Sequence, residues 1–371
     1  MKLSIMKVLQ INKLYYPHLG GVETVVKNIA EGLGKDSGIE MRVLACQEKG
    51  RGSEEVVNGV KVIRATSWGR LWSLPISFSF FKIAKKQMRW ADTVLIHQPF
   101  PLASLAQLFW GKNKKIIILY HADIYRQKLV KWFFNFILRF NLRQAQEIIV
   151  SSHNLVKNSP LLKPLAAKCR VIYFGINQDD FTITDDIRKE AKKINKSFGG
   201  FILAVGRLVY YKGFRYLILA MKQVNCRLLI IGAGPEKDIL EKLIIDNNLQ
   251  ERITILDPVS DLRPYYLASK FFVFPSCEIT EAFGLVQAEA MFCGKAVVNT
   301  NLPTGVSEVS LDGLTGITVP GKDPLSLAAA INKLLNSPEL LLEYEKRALK
   351  RAQENFTLNT FLEKLRKELI S

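Results

Sequence analysis

Short, almost unbroken apolar runs, separated by amphipathic stretches of helix length, constrain this chain more than any other feature. Val8–Ile11, Met41–Ala45, Val60–Ala65, Thr93–His97, Lys115–Tyr120 and Glu147–Ser151 are rich in β-branched residues and show little polar alternation. A strand with one wet face alternates, whereas a strand covered on both faces does not. Between these runs, Val22–Leu33, Phe80–Trp90, Leu102–Trp110 and Lys128–Gln144 repeat apolar residues at helical spacing. That alternation predicts an α/β fold built on a doubly wound parallel sheet. The pattern restarts near residue 200, with strands over Phe201–Val205, Arg227–Ile231, Thr254–Leu256, Phe271–Phe274 and Ala296–Thr300. Helices are expected around Gly213–Val224, Pro235–Asn247, Asp261–Ala268, Phe283–Cys293 and Pro324–Asn336. The 371 residues suit two such domains, at roughly 100–200 residues each. The polar stretch Gln178–Ser197 reads as the linker, and Pro338–Ser371 as a helical tail of mixed charge. Open α/β sheets bind ligands at the carboxyl ends of their strands, so two of them imply a cleft with a site in it.

Composition excludes several classes. With 48% hydrophobic and 23% charged residues the chain can fill two cores and is neither disordered nor fibrous. It has no run of 18 apolar residues, so no transmembrane helix is expected. Met1–Gln10 lacks the apolar core of a secretory signal. The five cysteines (Cys46, Cys169, Cys226, Cys277, Cys293) include no Cys-x-x-Cys pair, which argues against a disulfide framework and a zinc site. A reduced, cytoplasmic protein is the expectation.

Charge divides unevenly. Residues 1–174 hold 27 of the 52 Lys and Arg but 10 of the 34 Asp and Glu, a net of +17; residues 175–371 are near neutral at +1. A basic half points to a polyanionic partner, nucleic acid or an anionic membrane. From Arg126 to Arg143 five cations (Arg126, Lys128, Lys131, Arg139, Arg143) interleave with Trp132, Phe133, Phe134, Phe136 and Phe140, with no acid. Lys82, Lys85, Lys86 and Arg89 beside Phe80, Phe81 and Trp90 repeat the theme. A basic helix with an aromatic face is the pattern of an interfacial membrane helix, which makes Lys128, Lys131, Trp132 and Arg139 candidates for the membrane and acceptor side. A core helix with a solvated basic rim remains the alternative. No nucleic-acid reading motif accompanies the charge, so nucleic acid is not the expected partner.

The run Glu281-Ala-Phe-Gly-Leu-Val-Gln-Ala-Glu289 places two carboxylates eight residues apart around a Phe-Gly turn that opens a helix. Backbone N–H groups at Phe283, Gly284 and Leu285 would stand at the positive end of the helix dipole, a seat for phosphate. Glu289, two turns on, would suit ribose hydroxyls, and Glu281 the hydroxyls of a sugar beyond the phosphates. The plainer account is an acidic helix start, but Phe274, Phe283, Leu285, Val286 and Met291 make this a poor setting for incidental charge. Arg207 after a buried strand and Lys212 five residues on would converge on a pyrophosphate, one as a fork and one as a point charge. Two solvated loop cations are the plainer account there. Gly20-Gly21, in the first strand-to-helix loop, allows close backbone approach to a ligand. Gly232-x-Gly234 lacks the rest of a dinucleotide fingerprint and is not read as an NAD site.

Together, Gly20-Gly21, Gly206-Arg207-Leu208…Lys212-Gly213, Gly232-Ala-Gly234-Pro235, Pro275-Ser276 and the Glu-x7-Glu run resemble retaining glycosyltransferase family 4. The resemblance covers nearly the whole chain. It implies a GT-B fold, two Rossmann-like domains facing each other across a cleft. The segment Lys13–Glu23 and Leu302-Pro303-Thr304-Gly305-Val306 look like those of bacterial O-antigen and other surface-polysaccharide transferases, several of them mannosyltransferases. The implied domains are 1–177 for the acceptor and 178–351 for the nucleotide sugar, with a helix over 352–371 packing back on the first. The implied catalytic residues are His121, Glu281, Arg207 and Lys212. Implied donor contacts are Gly20, Gly21, Arg207, Lys212, Glu281, Ala282, Phe283, Gly284, Leu285 and Glu289. The resemblance implies transfer of a hexose to a lipid-linked glycan at the inner membrane face, with GDP-mannose favoured and UDP-hexoses next. The departure at Pro303–Glu308 keeps donor specificity open. No Asp-x-Asp is present, so neither metal nor cofactor is expected, with cations and a helix dipole holding the leaving diphosphate. A non-catalytic nucleotide-sugar binder on the same fold is the rival from another class. An epimerase or an inverting transferase is disfavoured by the Glu-x7-Glu run.

Overall fold

The apolar runs become parallel strands in two separate sheets. The computed structural model describes residues 5–18, 20–71, 74–123 and 128–370, with the side chains of 128–133 outside that description. The chain divides into a first unit, Met1–Gly175 with Leu358–Ser371, and a second, Ile176–Thr357.

The first unit runs β1 (Met6–Ile11), α1 (Gly21–Leu33), β2 (Ile39–Cys46), β3 (Ser53–Val57), β4 (Val60–Ala65), β5 (Arg70–Leu71), β6 (Leu74–Pro75), α2 (Ser79–Trp90) and β7 (Thr93–Gln98). It continues through α3 (Pro101–Trp110), β8 (Lys115–Tyr120), α4 (Lys128–Gln144), β9 (Glu147–Val150), α5 (His153–Asn158) and β10 (Cys169–Val171). Its sheet has the order β10-β9-β8-β7-β1-β2-β4-β3, with only β3 antiparallel. Strand order reverses at β1 and β7, the crevice where such sheets take ligands. Strand residues Leu9, Ile11, Val94, Ile96, Ile116 and Ile118 pack against Phe80, Met88, Phe100 and Leu138 of the covering segments, all nearly or fully buried. Each such side chain contributes about 1.5–3 kcal/mol on leaving water.

The second unit runs α6 (Asp185–Phe198), β11 (Phe201–Val205), α7 (Phe214–Ala220), β12 (Arg227–Ile231), α8 (Lys237–Asp246), β13 (Ile253–Leu256), α9 (Arg263–Ala268) and β14 (Phe272–Phe274). There follow α10 (Leu285–Phe292), β15 (Val297–Thr300), α11 (Val306–Val309), β16 (Gly316–Val319), α12 (Pro324–Leu335) and α13 (Pro338–Asn355). All six strands are parallel in the order β13-β12-β11-β14-β15-β16, reversing at β11 and β14. The last helix, α14 (Leu358–Ile370), returns to the first unit and buries Phe361, Leu365 and Leu369.

Two expectations are corrected, and one strand is added. Gln178–Ser197 is not a free linker: after a short 3-10 turn, α6 starts at a Thr184 cap and buries Ile187, Ala191 and Ile194. Three apolar residues in a charged helix make a narrow stripe, which is why the stretch looks like solvated chain. The division falls at 175/176 and 357/358 rather than 177/178 and 351/352, because α13 runs to Asn355 inside the second unit. The edge strand β3, mostly exposed and carrying Glu54 and Glu55, has no apolar run to announce it. No described helix is long and apolar enough to cross a membrane.

Candidate active site

In the second unit the loops leaving β11 and β14 meet at the reversal of strand order. Gly213 makes their contact possible: it sits at φ +72°, and a Cβ there would lie 1.9 Å from the Pro275 carbonyl oxygen. The turn before it carries Lys212, whose Nζ pairs with Glu281 Oε2 at 2.6 Å. Both side chains are largely enclosed, 12% and 11% exposed. Ser276 Oγ donates to the same carboxylate oxygen at 3.2 Å, and the ammonium lies 4.8 Å from the Phe274 ring centre. A cation and an anion held together in a dry pocket each lose strength as an isolated charge, so an incoming diphosphate competes with Glu281 for Lys212.

Glu289 sits on α10, whose cap Gly284 lies in the left-handed region at φ +81°. Its Oε2 accepts from the buried Tyr266 hydroxyl at 3.2 Å. Burial pushes its carboxyl up to about 6, while the Tyr266 hydrogen bond and the Lys212 charge pull it back. Arg207 stands apart. It is exposed, makes no ion pair among the described residues, and lines a cavity of about 290 Å³ with Gly206, Gly232, Ala233, Pro258 and Leu262. Ala282 to Leu285 form the turn between Glu281 and α10, and the Gly305 N–H donates to the Ala282 carbonyl at 2.8 Å. The buried amide of Asn299 braces the Pro303–Glu308 departure from behind, reaching Gln287 Oε1 and the carbonyls of Val306 and Ser310.

In the first unit the reversal at β1 and β7 carries a chain of buried polar groups. Gln10 Nε2 lies 2.7 Å from His97 Nε2, and His97 Nδ1 lies 2.8 Å from His121 Nε2. An amide nitrogen only donates, so His97 accepts at Nε2 and carries its proton on Nδ1. That proton goes to His121 Nε2. Burial, helped by the Lys13 charge, holds His121 down at about 3, and burial with the neighbouring His121 holds His97 low as well. A neutral His121 therefore keeps its proton on Nδ1 and offers a donor there. Asp123, two residues on, is taken up structurally: it accepts from Tyr120 and, at 2.8 Å, from Ser159. Gly20 caps α1 and Gly21 opens it.

Comparison with known proteins decides the family. Residues 19–180 match the sequence profile described as Glycosyltransferase Family 4, and residues 185–351 that described as Glycosyl transferases group 1. The chain is 30% identical to D-rhamnosyltransferase WbpZ of Pseudomonas aeruginosa over 360 residues, 95% of this chain and 92% of that protein. It belongs to glycosyltransferase family 4. A second relative, O-antigen chain mannosyltransferase C of Escherichia coli, is 27% identical over 361 residues, 96% of each chain. The fold is that of Anabaena HepE, solved in complex with UDP, with a TM-score of 0.79 at 19% identity over 98% of this chain and 99% of that one. The family 4 chain thus has the GT-B fold.

Of the residues singled out from sequence, this glycosyltransferase brings Lys212, Glu281 and Glu289 into one cluster, with Arg207 in the neighbouring cavity. Gly20, Gly21 and His121 lie in the other unit. Lys128, Lys131 and Trp132 lie outside the described side chains; Arg139 is exposed on α4, beside exposed Phe136 and Phe140. On the same helix Ile137, Leu138 and Leu142 are buried, so α4 has both a core face and an aromatic, cationic face. Sequence reasoning missed Tyr266, Ser276, Gln10 and His97 as partners. A glutamine inside the apolar run Val8–Ile11 was the readable signal for Gln10. It also missed a cavity of about 850 Å³ in the first unit between the loops after β1 and β2. There Arg64 donates to Glu55 at 2.7 Å and to the Tyr16 carbonyl at 2.6 Å, and His18 pairs with Glu48 at 2.7 Å.

Proposed function

We propose that this glycosyltransferase moves a hexose, mannose from GDP-mannose, onto a lipid-linked oligosaccharide in surface-polysaccharide synthesis, with retention and without a metal. The carrying observation is the Lys212–Glu281–Glu289 cluster at the strand reversal of the second unit. Arg207 and Lys212 take the diphosphate together with the N-terminal end of α10. Lys212 thereby leaves Glu281, whose carboxylate is then available to hydroxyls of the donor sugar. Glu289 accepts from ribose hydroxyls. His121, neutral with Nδ1 protonated, contacts the sugar as a donor and supports charge in the transition state. With no nucleophile assigned, same-face attack is the favoured route to retention. The polar and aromatic cavity between the β1 and β2 loops suits the acceptor glycan. The name of the E. coli relative, an O-antigen chain mannosyltransferase, supports an O-antigen-type pathway.

Membrane attachment is part of the proposal: the protein works as a peripheral protein on the cytoplasmic face, docked by the cationic surface of its first unit. The test is a panel of nucleotide sugars read by thermal shift, followed by anomer assignment of the product. GDP-mannose at 100 times its dissociation constant adds about 2.7 kcal/mol. A larger shift with another nucleotide sugar, or a product of inverted configuration, overturns the corresponding half of the reading.

A further inference from the structure

Large apolar side chains standing alone on a surface need no explanation, but a concentration of them does. Between β4 and α2 four of the described residues are exposed within eleven positions: Trp68 at 74%, Leu71 at 54%, Ile76 at 39% and Phe78 at 78%. They flank and belong to the antiparallel pair β5–β6, which matches Arg70 with Pro75 and Leu71 with Leu74. Its base is pinned by hydrogen bonds from the Trp68 N–H to the Ile76 carbonyl and from the Ile76 N–H to the Gly69 carbonyl, at 3.0 and 2.9 Å. Ser67 and Gly50 then exchange backbone bonds just below. A two-stranded ribbon of this length gains little from its own pairing in water, so the fold holds it in place by its base while its apolar side chains remain wet.

Charge identifies what would cover it. No acidic residue occurs from 56 to 91, which holds seven cations, Lys61, Arg64, Arg70, Lys82, Lys85, Lys86 and Arg89. The last four stand exposed on α2, directly after this pair of strands. The whole first unit holds 30 of the 52 Lys and Arg against 12 of the 34 Asp and Glu, and so carries the chain's entire net charge of +18. A second copy would bring the same charge against itself. Aliphatic Leu71 and Ile76 offer nothing to a nucleic-acid base. An anionic bilayer satisfies both halves: cations meet headgroups, and Trp and Phe enter the interface where such rings concentrate.

We propose that the paired strands β5 and β6 and their flanks form a membrane-inserting wedge, with Trp68, Leu71, Ile76 and Phe78 entering the headgroup–acyl boundary and the α2 cations holding the surrounding anionic lipid. The proposal rests on the membrane reading above and assigns it a site separate from α4. The experiment sediments the full chain with phosphatidylcholine vesicles containing phosphatidylglycerol, across a salt series, for wild type, Trp68→Ser/Phe78→Ser, Trp68→Phe, and Lys85→Glu/Lys86→Glu/Arg89→Glu. Thermal melts confirm that each variant is folded. The double Ser variant should partition at least tenfold less at physiological salt, and its residual binding should vanish as salt rises, whereas Trp68→Phe binds as wild type. Unchanged binding of a folded double Ser variant overturns the wedge; if the charge-reversed variant is nevertheless released, the membrane reading survives without it. No sedimentation of wild type removes both. Loss of a dimer in light scattering with vesicle binding intact assigns the patch to a second copy, and retention on single-stranded DNA with none on vesicles assigns it to nucleic acid; either overturns the proposal.

Discussion

Lys212 and Arg207 differ in what they cost the resting protein. Lys212 is already neutralised by Glu281, whereas Arg207, at the cavity, makes no ion pair among the described residues. Both are expected to stabilise a departing diphosphate, so Arg207→Ala and Lys212→Ala should each lower kcat at least 10²-fold, the scale of a lost charge stabiliser. Near-normal turnover by a folded Arg207→Ala protein would remove its role. Glu289 supplies a pH signature. Its carboxyl, raised from the ordinary 4.5 to about 6 chiefly by burial, is ionised above that value and protonated below it. In the free protein, folding takes up a proton here between 4.5 and about 6, so this group's contribution to stability falls as pH rises through that window. Donor hydroxyls need the ionised form, so donor affinity moves the opposite way and weakens as pH drops below about 6. Titration of affinity against pH checks this, and Glu289→Gln should flatten both trends. Behind His121, Gln10→Glu should reverse the relay: the carboxylate accepts from His97 Nε2, and the proton of His121 moves to Nε2. Nitrogen NMR of the imidazole reads that tautomer directly, and an unchanged spectrum refutes the relay.

Helix α4 has two faces with separate consequences. Leu138 and Leu142 lie in the core cluster of the first unit, so Leu138→Ala should cost about 2–5 kcal/mol in unfolding free energy. Phe136 and Arg139 face solvent, and changes there should alter stability by less than about 0.5 kcal/mol. Reversing Lys128, Lys131 and Arg139 to Glu should instead release the protein from anionic vesicles, with donor affinity unchanged because the cluster proposed to take the donor lies in the other unit. Equal sedimentation of wild type and triple variant leaves α4 a core helix with a solvated rim. Exposed cations act over roughly 8 Å at physiological ionic strength, so binding through this face should also weaken with salt.

Over the whole molecule, charge is partitioned by unit. The first carries all of the net +18, and the second balances 22 basic against 22 acidic residues. A neutral second unit, on the proposed reading, can hold a dianionic diphosphate by a few placed cations and a helix end, without a general attraction for polyanions. No Asp-x-Asp occurs in the sequence to bind a metal–diphosphate complex, so turnover should survive EDTA. Loss on chelation that Mg²⁺ or Mn²⁺ restores would count against this mechanism.

Parallel strands buried on both faces must be apolar nearly throughout, which is why most strands of the two sheets and their covering helices could be read from residue order, whereas β3, β10 and β16 could not. Arg207, Lys212, Glu281 and Glu289 stood out as candidates because charge set at strand and helix ends beside apolar residues is conspicuous; the structure brings the last three together. Contacts distant in sequence were not legible. The Lys212–Glu281 pair spans 69 residues of chain and depends on a glycine turn abutting Pro275. The Gln10–His97–His121 relay joins three strands whose adjacency follows from the order β8-β7-β1, not from any local pattern. Helix α6 looked like linker because three buried residues in fourteen barely modulate a charged sequence. Residue order determined which segments had to be covered and which charges had to find partners. Tertiary structure alone decided the partners, because hydrogen bonds and ion pairs act over a few ångströms in space and take no account of separation along the chain.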